Sequence, residues 1–110
     1  MAAEERVELP QGTLDLLILK ALALQPLHGW AVSERLQQTS RDALQVPQGS
    51  LYPALHRLER QGLLKSEWKE SGNGPMAKMY SLTAAGRKRF QDEMAGWRRY
   101  AGAVGMVLES

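Results

Sequence analysis

The twelve residues SLYPALHRLERQ, residues 50–61, decide the fold of this 110-residue chain. Leu51, Leu55 and Leu58 recur at i, i+4 and i+7, which places their side chains on one face of a helix. Most of the polar residues of the stretch fall on the other side. The pattern therefore predicts a helix that packs a leucine stripe on the core and presents its opposite face outward.

Residues at both ends of the stretch set the predicted boundaries of this helix. Ser50 is a good N-cap, because its hydroxyl accepts a hydrogen bond from a backbone N–H of the first turn. Pro53 then falls in the first turn, where its missing N–H costs little. Gly62 stands where a C-cap glycine belongs. We therefore expect the helix over residues 50–61.

The outward face of this helix has the composition of a DNA-recognition surface. Base edges in the major groove are read by Gln, Ser, Arg and aromatic or apolar side chains near a helix N-terminus, and phosphates are held by Arg and Lys further out. The alternative, for an isolated helix, is an ordinary solvated face. We predict DNA contacts by Gln48, Ser50, Tyr52, Pro53, His56, Arg57 and Arg60.

Two further helices are predicted upstream. Residues 14–24, LDLLILKALAL, carry apolar side chains on nearly every face, so this segment must be buried on several sides. Residues 30–38 have the spacing of a short amphipathic helix. Trp30 in this helix, like Trp68 further along the chain, is expected to be a core or strand-face residue.

Downstream of Gly62 the pattern changes to a period of two. Apolar and polar residues alternate over residues 64–69 and again over residues 77–82, and residues 70–75 between them are rich in glycine. This part predicts a two-stranded hairpin with a flexible tip. Lys65 and Lys78 are predicted to contact flanking phosphates, although lysines also protect edge strands from aggregation.

The last predicted helix covers residues 84–108, with Thr83 as its cap. Its apolar residues are spaced 4, 3, 4, 3 and 4 apart, the heptad pattern of a helix that packs along another helix. A chain of this length buries a modest core, so pairing with a second copy is favoured. The predicted dimer interface comprises Leu14, Leu17, Phe90, Met94, Trp97, Ala101, Val104 and Leu108.

Trp97 has two interpretations within this seam. Large aromatic residues in a dimer interface are most often packing anchors. An indole between two copies can also line a small-molecule pocket, so Trp97 is the predicted effector-binding residue.

The order helix, helix, helix, hairpin, helix predicts a winged helix-turn-helix fold. The expected class is mainly α with a small two-stranded β-wing and a C-terminal dimerisation helix. Residues 1–83 are the predicted DNA-binding domain and residues 84–110 the dimerisation helix, together one structural unit.

Composition argues against several other classes. The chain has no cysteine, which excludes a disulfide scaffold and a thiolate zinc site. His28, in a predicted loop, and His56 lack the partners of a metal site or a catalytic triad. Residues 1–10 lack a signal-peptide core, so a cytoplasmic location is expected. We predict a protein that is not an enzyme and needs no cofactor or metal, with no membrane partner.

The run GSLYPALHRLERQGLL, residues 49–64, resembles the PadR family of bacterial transcriptional regulators. GTLDLLILKAL (residues 12–22), the His28-Gly29-Trp30 turn and YSLTAAGR (residues 80–87) resemble other parts of that family. Where many members carry two adjacent basic residues before the wing tyrosine, this chain has only Lys78. The resemblance implies operator binding, usually with repression relieved by a small molecule. It also implies that Tyr52 and the residues around Ser50 approach the DNA, and that Trp97 contacts flat hydrophobic effectors.

The leading hypothesis is a homodimeric repressor that binds a pseudo-palindromic operator in double-stranded DNA through two α-helices in successive major grooves. One alternative is a winged helix used for protein interaction, with a merely solvated basic face. The other is a dimer that acts chiefly as a sensor or carrier of aromatic compounds.

Overall fold

The computed structural model describes Leu9, residues 11–72 and residues 74–110. The acidic leader and Asn73 of the hairpin tip lie outside the described residues. The elements, in chain order, are α1 Gln11–Leu24, β1 Leu27–His28, α2 Gly29–Thr39, α3 Gln48–Arg60, β2 Leu64–Glu70, β3 Met76–Leu82 and α4 Ala84–Glu109. These are the helices and hairpin of a winged-helix fold with a long C-terminal helix, which confirms the predicted fold class.

The start of α3 differs from the prediction. The helix begins at Gln48 and Pro47 is its N-cap, in an extended conformation without a side-chain hydrogen bond. The Ser50 N–H donates to the Pro47 carbonyl at 2.9 Å, so Ser50 already lies inside the helix. The expectation that Ser50 caps α3 was wrong, because the Pro47 carbonyl accepts the first helical hydrogen bonds. Pro53 consequently lies in the second turn.

The end of α3 agrees with the prediction. Gly62 has a φ of +77°, a left-handed conformation that glycine adopts without penalty. Two backbone hydrogen bonds close this end, from Gly62 N–H to the Glu59 carbonyl and from Leu63 N–H to the Leu58 carbonyl, each at 3.0 Å. This is a Schellman motif, and the buried Leu58 and Leu63 supply its hydrophobic contact.

The sheet contains one strand more than the predicted hairpin. β2 and β3 pair antiparallel from Leu64 opposite Leu82 to Glu70 opposite Met76. The two-residue strand β1 pairs with the other edge of β3, giving the order β1-β3-β2. We call β2, β3 and their connecting turn the wing. The strand β1 was not predicted, because two residues are too few to show alternation of apolar and polar side chains. It joins the wing to the helical body.

One hydrophobic core lies between α1, α2, α3, the base of the wing and the start of α4. The leucine stripe of α3 is buried as predicted, and α1 is buried on several sides. Fully buried side chains of the core include Ile18, Leu19, Leu22, Val32, Leu51, Leu55, Leu58 and Tyr80. None of the described helices has the length and apolar character needed to cross a membrane.

The two predicted core tryptophans are exposed. The buried stripe of α2 consists of Gly29, Val32 and Leu36, at spacings of 3 and 4. Trp30 falls off this stripe and is 45% exposed, so its assignment to the core was wrong. Trp68 lies on β2, on a strand face as one of the two interpretations held, but its side chain is exposed.

The start of α4 is fixed by side-chain and backbone contacts to the turn after α3. Thr83 caps the helix as predicted, because its Oγ1 accepts from the Gly86 N–H at 3.0 Å and donates to the Gly62 carbonyl at 2.7 Å. A Cβ added at Gly86 would lie 2.0 Å from the Leu63 carbonyl oxygen. Only glycine therefore fits at this position without a shift of the backbone.

Candidate nucleic-acid interface

The centre of the candidate interface is the outward face of α3, which we define as Gly49, Pro53, His56 and Arg60. These four residues are exposed and lie directly opposite the buried stripe of Leu51, Ala54, Leu55 and Leu58. At 100° per residue they fall within one narrow sector of the helix. Arg60 is exposed and makes no ion pair among the described residues.

The wing-side flank of α3 is fastened to the wing by one carboxylate. Glu59 accepts a hydrogen bond from the Ser66 hydroxyl at 2.6 Å, and its other oxygen lies 3.7 Å from the Lys78 ammonium. Ser66 belongs to β2 and Lys78 to β3, so Glu59 holds both strands against the helix. The predicted DNA contact Lys78 therefore has part of its charge balanced within the protein.

The opposite flank of α3 faces α1. Arg57 forms an ion pair with Asp15, and both side chains are largely buried. Ser50, on the same flank, is exposed. Arg57 was predicted to contact phosphates, whereas in the structure its guanidinium binds Asp15 and so joins α3 to α1.

Tyr52 lies one turn into α3 and packs against the start of α2. A Cβ added at Gly29 would come within 2.8 Å of the Tyr52 Cε1 atom, so the ring lies almost on the Gly29 backbone. Tyr52 is consequently half-buried, while its neighbour Gln48 is exposed. The close packing explains in physical terms why a glycine stands at position 29.

His28, placed in a loop by the sequence analysis, is a buried strand residue that contacts the wing. Its Nε2 lies 3.0 Å from the Glu70 carbonyl oxygen and its Nδ1 lies 3.2 Å from the Lys78 carbonyl oxygen. These oxygens belong to different strands of the wing. The sequence gave no signal for this contact with the wing.

Tyr80 lies in the core beneath this region. Burial raises the pKa of its phenol above the ordinary value of 10.0, and the nearby Glu59 carboxylate and Tyr52 raise it further. The phenol therefore stays neutral, and a buried anion is avoided next to Glu59.

The predicted wing contacts occupy different environments. Lys65, near the base of β2, is exposed, and Lys78 is half-buried beside Glu59. At the far end of β2, Lys69 pairs with Glu67 on the same strand at 3.1 Å. Lys65 is thus the predicted wing contact whose charge is more accessible.

The predicted dimer residues divide into three groups by burial. Leu14 and Phe90 are already buried in the core of the single chain, so they have little surface to offer a partner. Leu17, Met94 and Ala101 are half-buried. The exposed members are Trp97, Val104 and Leu108.

A groove of about 470 Å³ lies between α1 and α4 and contains the predicted effector residue. Leu16 and the glycine backbone of α1 form one wall, and Trp97 and Tyr100 form the other. Within the described part of the chain, no group of three or more His, Asp or Glu side chains is arranged to hold a metal ion.

Comparison with known proteins agrees with this architecture. The family model described as "Transcriptional regulator PadR-like family" matches residues 18–92. A transcriptional regulator of Mycobacterium tuberculosis is 37% identical over 87 residues, which cover 78% of this chain and 77% of that protein. A crystal structure of a PadR family transcriptional regulator from Eggerthella lenta is 34% identical, with a TM-score of 0.78 over 91% of this chain and 85% of that one. A PadR-like transcription factor from Bacteroides fragilis is 32% identical, with a TM-score of 0.73 over 88% and 91% of the two chains.

Proposed function

The chain belongs to the PadR-like family of transcriptional regulators, and we propose that it is a homodimeric repressor that binds a two-fold symmetric DNA site and leaves it when a small molecule binds. Membership in a family of regulators implies DNA binding and confirms the prediction that the protein is not an enzyme. The sequence specificity, the dimer, the repression and the effector are the proposed parts.

The observation that carries the proposal is the outward face of α3. Its four residues combine open backbone at Gly49, an apolar ring at Pro53, a donor or acceptor at His56 and an exposed cation at Arg60. A helix in the major groove needs such groups to meet base edges and phosphates. Because Glu59 fastens the helix to the wing, both elements would dock on DNA as one rigid surface.

The proposed dimer rests on the C-terminal half of α4. Trp97 is 49% exposed and Leu108 is 77% exposed, although both continue the heptad pattern that is buried at Phe90. Contiguous apolar surface of this kind is typical of a protein–protein interface. Two copies joined along α4 would present two α3 helices to one duplex, about one helical turn apart.

The proposed effector site is the groove beside Trp97. An indole and a phenol on one wall suit a flat hydrophobic molecule, and the Glu93 carboxylate at the rim adds one polar contact. Because the groove adjoins the proposed dimer surface, a ligand there would change the distance between the two α3 helices. Relief of repression follows from that change.

Selection of bound sequences from a random duplex pool tests whether the protein recognises a two-fold symmetric DNA sequence. Purified protein is used at about 150 mM salt, where nonspecific phosphate binding is already weakened. We expect recovery of a two-fold symmetric motif. An unenriched pool would contradict sequence-specific binding and favour the protein-interaction alternative.

Substitutions in α3 then locate the reading surface. Arg60→Ala is expected to weaken binding to all duplexes to a similar degree, since a phosphate contact carries no sequence information. His56→Ala and Gln48→Ala are expected to change the selected motif. Arg99→Ala, which removes the same charge from the exposed side of α4, is the matched control and should leave binding unchanged.

Repression and relief are tested with the selected motif placed in a promoter. In a purified transcription system the protein is expected to lower transcript yield, and increased yield would show activation instead. A panel of flat aromatic compounds is then screened by quenching of tryptophan emission. A compound that quenches wild type but not Trp97→Phe, and restores transcription, would satisfy the effector part of the proposal.

A further inference from the structure

Trp30 is a large aromatic side chain that is 45% exposed at a junction of three elements. It lies in the first turn of α2, next to the wing contact His28, and it lines a groove of about 400 Å³. The opposite wall of that groove is formed by the segment that leads into α3. The lining residues are Trp30, Ser33, Glu34, Gln37, Gln45, Val46 and Pro47.

The indole of Trp30 lies alongside the imidazole of His28. The two rings are parallel to within 7°, with their centroids 6.3 Å apart. His28 itself is buried and lies within hydrogen-bond distance of carbonyl oxygens on both wing strands. The indole therefore lies beside a residue that contacts both strands of the wing.

The groove adjoins the start of α3. Pro47, on its wall, is the residue immediately before α3, and the exposed Gln48 follows it. A DNA strand lying along α3 toward the wing would pass this junction. The walls offer it an apolar ring and side-chain amide N–H groups from Gln37 and Gln45, which are groups that contact deoxyribose and phosphate. The Ser33 hydroxyl donates to the Trp30 carbonyl and one Gln37 N–H donates to Asp42, each at 3.1 Å, so these hydrogens are already bonded within the chain.

We propose that Trp30 is a DNA-contacting side chain, and that its groove receives the sugar-phosphate backbone between the segments held by α3 and by the wing. The inference rests on the proposed function, because it requires α3 to dock on a duplex. Glu34 is the single charged residue of the groove, and its carboxylate opposes the approach of phosphate.

The first test compares Trp30→Ala and Trp30→Phe with wild type. Trp30→Ala is expected to lower affinity about fivefold to tenfold, both for the selected motif and for random duplex. Trp30→Phe retains an aromatic ring and should recover most of the loss. Thermal unfolding of both variants is measured alongside, because a loss of binding with a matching loss of stability would assign Trp30 a structural role and overturn the proposal.

The second test measures directly whether Trp30 contacts the DNA. A variant with Trp68→Phe and Trp97→Phe leaves Trp30 as the single tryptophan, and saturation is monitored by anisotropy of a labelled duplex. We expect the emission of Trp30 to be quenched on binding. Unchanged emission at saturation would place the indole away from the DNA.

The third test uses the charge of Glu34. Glu34→Gln removes a carboxylate from the groove and is expected to raise affinity about twofold to threefold at low salt, with a smaller gain at high salt. Asp92→Asn, on the exposed surface of α4, is the matched control and should change affinity little. Equal effects of the two substitutions would contradict the proposed path of the DNA.

These outcomes separate the inference from the function on which it rests. If wild type binds no duplex sequence specifically, the proposed function fails. If wild type binds its motif but Trp30→Ala binds equally well, only the role of Trp30 fails.

Discussion

The two halves of α4 have the same secondary structure and the same apolar spacing but opposite surroundings. In residues 84–94, Gly86 and Phe90 are buried against the rest of the chain and Met94 is half-buried. In residues 95–109, the apolar side chains other than the half-buried Ala101 are exposed, with Leu108 reaching 77%. The first half therefore contributes to the stability of the single chain, and the second half has apolar surface whose burial requires another molecule.

This difference shows what a heptad pattern establishes. The spacing from Phe90 through Trp97 to Leu108 is uniform, so the pattern identifies one continuous apolar side of the helix. It does not distinguish burial within a chain from burial between chains. Substitutions in the two halves are expected to separate folding from association.

The largest effect is expected at Gly86. Gly86→Ala should destabilise the protein by about 3 kcal/mol, because its Cβ would collide with the Leu63 backbone carbonyl, which has no room to move. Gly102→Ala in the second half is the control. No atom lies within 4 Å of the added Cβ, so this change should stabilise the helix by about 1 kcal/mol. Chemical denaturation of both variants measures the difference, and equal effects would show that the two halves are packed alike.

A charge in the second half should act on association instead. Val104→Asp places a carboxylate on the exposed seam and is expected to raise the dimer dissociation constant at least about tenfold, since an unpaired charge would be buried on pairing. Sedimentation equilibrium measures that constant. Glu109→Ala, at the exposed end of the helix, serves as the comparison. A Val104→Asp protein with unchanged self-association would remove this half of α4 from the proposed interface.

The smallest effect is expected at Tyr80, in the core beneath the wing, which is packed within the chain like the first half of α4. Because the pKa of Tyr80 is higher in the folded state than in the unfolded chain, the neutral phenol contributes fully to the free energy of unfolding below pH 10.0. That contribution is lost as the pH rises through the folded-state pKa. Tyr80→Phe removes the titrating group, so its stability should fall less than that of wild type between about pH 9 and pH 11. Tyr100→Phe, at an exposed site, should follow the wild-type curve.

Much of the fold was predictable because it depends on local signals. The leucine stripe of α3, the glycine at its end and the Thr83 cap each act within one or two helical turns. The start of α3 was not predicted, because Pro47 at the N-cap has no side-chain acceptor and so gives no cap signal, whereas Ser50, three residues on, has the hydroxyl typical of a cap.

The candidate site was predictable in composition but not in its contacts. The exposed positions of α3 follow from helical periodicity. The ion pair of Arg57 with Asp15 joins residues 42 positions apart, and the same separation divides His28 from Glu70. No short-range pattern reports such contacts. Trp30 was misassigned for a related reason, since the sequence shows an aromatic residue but not the width of the stripe that α2 buries.

Because β1 pairs with only part of β3, the backbone hydrogen bonds at the two ends of the wing are expected to open at different rates. Residues 79 and 80 of β3 have neighbouring strands on both sides, whereas residues 76–78 pair with β2 alone. Amide hydrogen exchange should therefore be slow, and limited by global unfolding, at Tyr80, and faster at Met76 through local opening. The base of the wing thus keeps a constant position relative to α3, while the pairing of residues 76–78 is supported by a neighbouring strand on one side only.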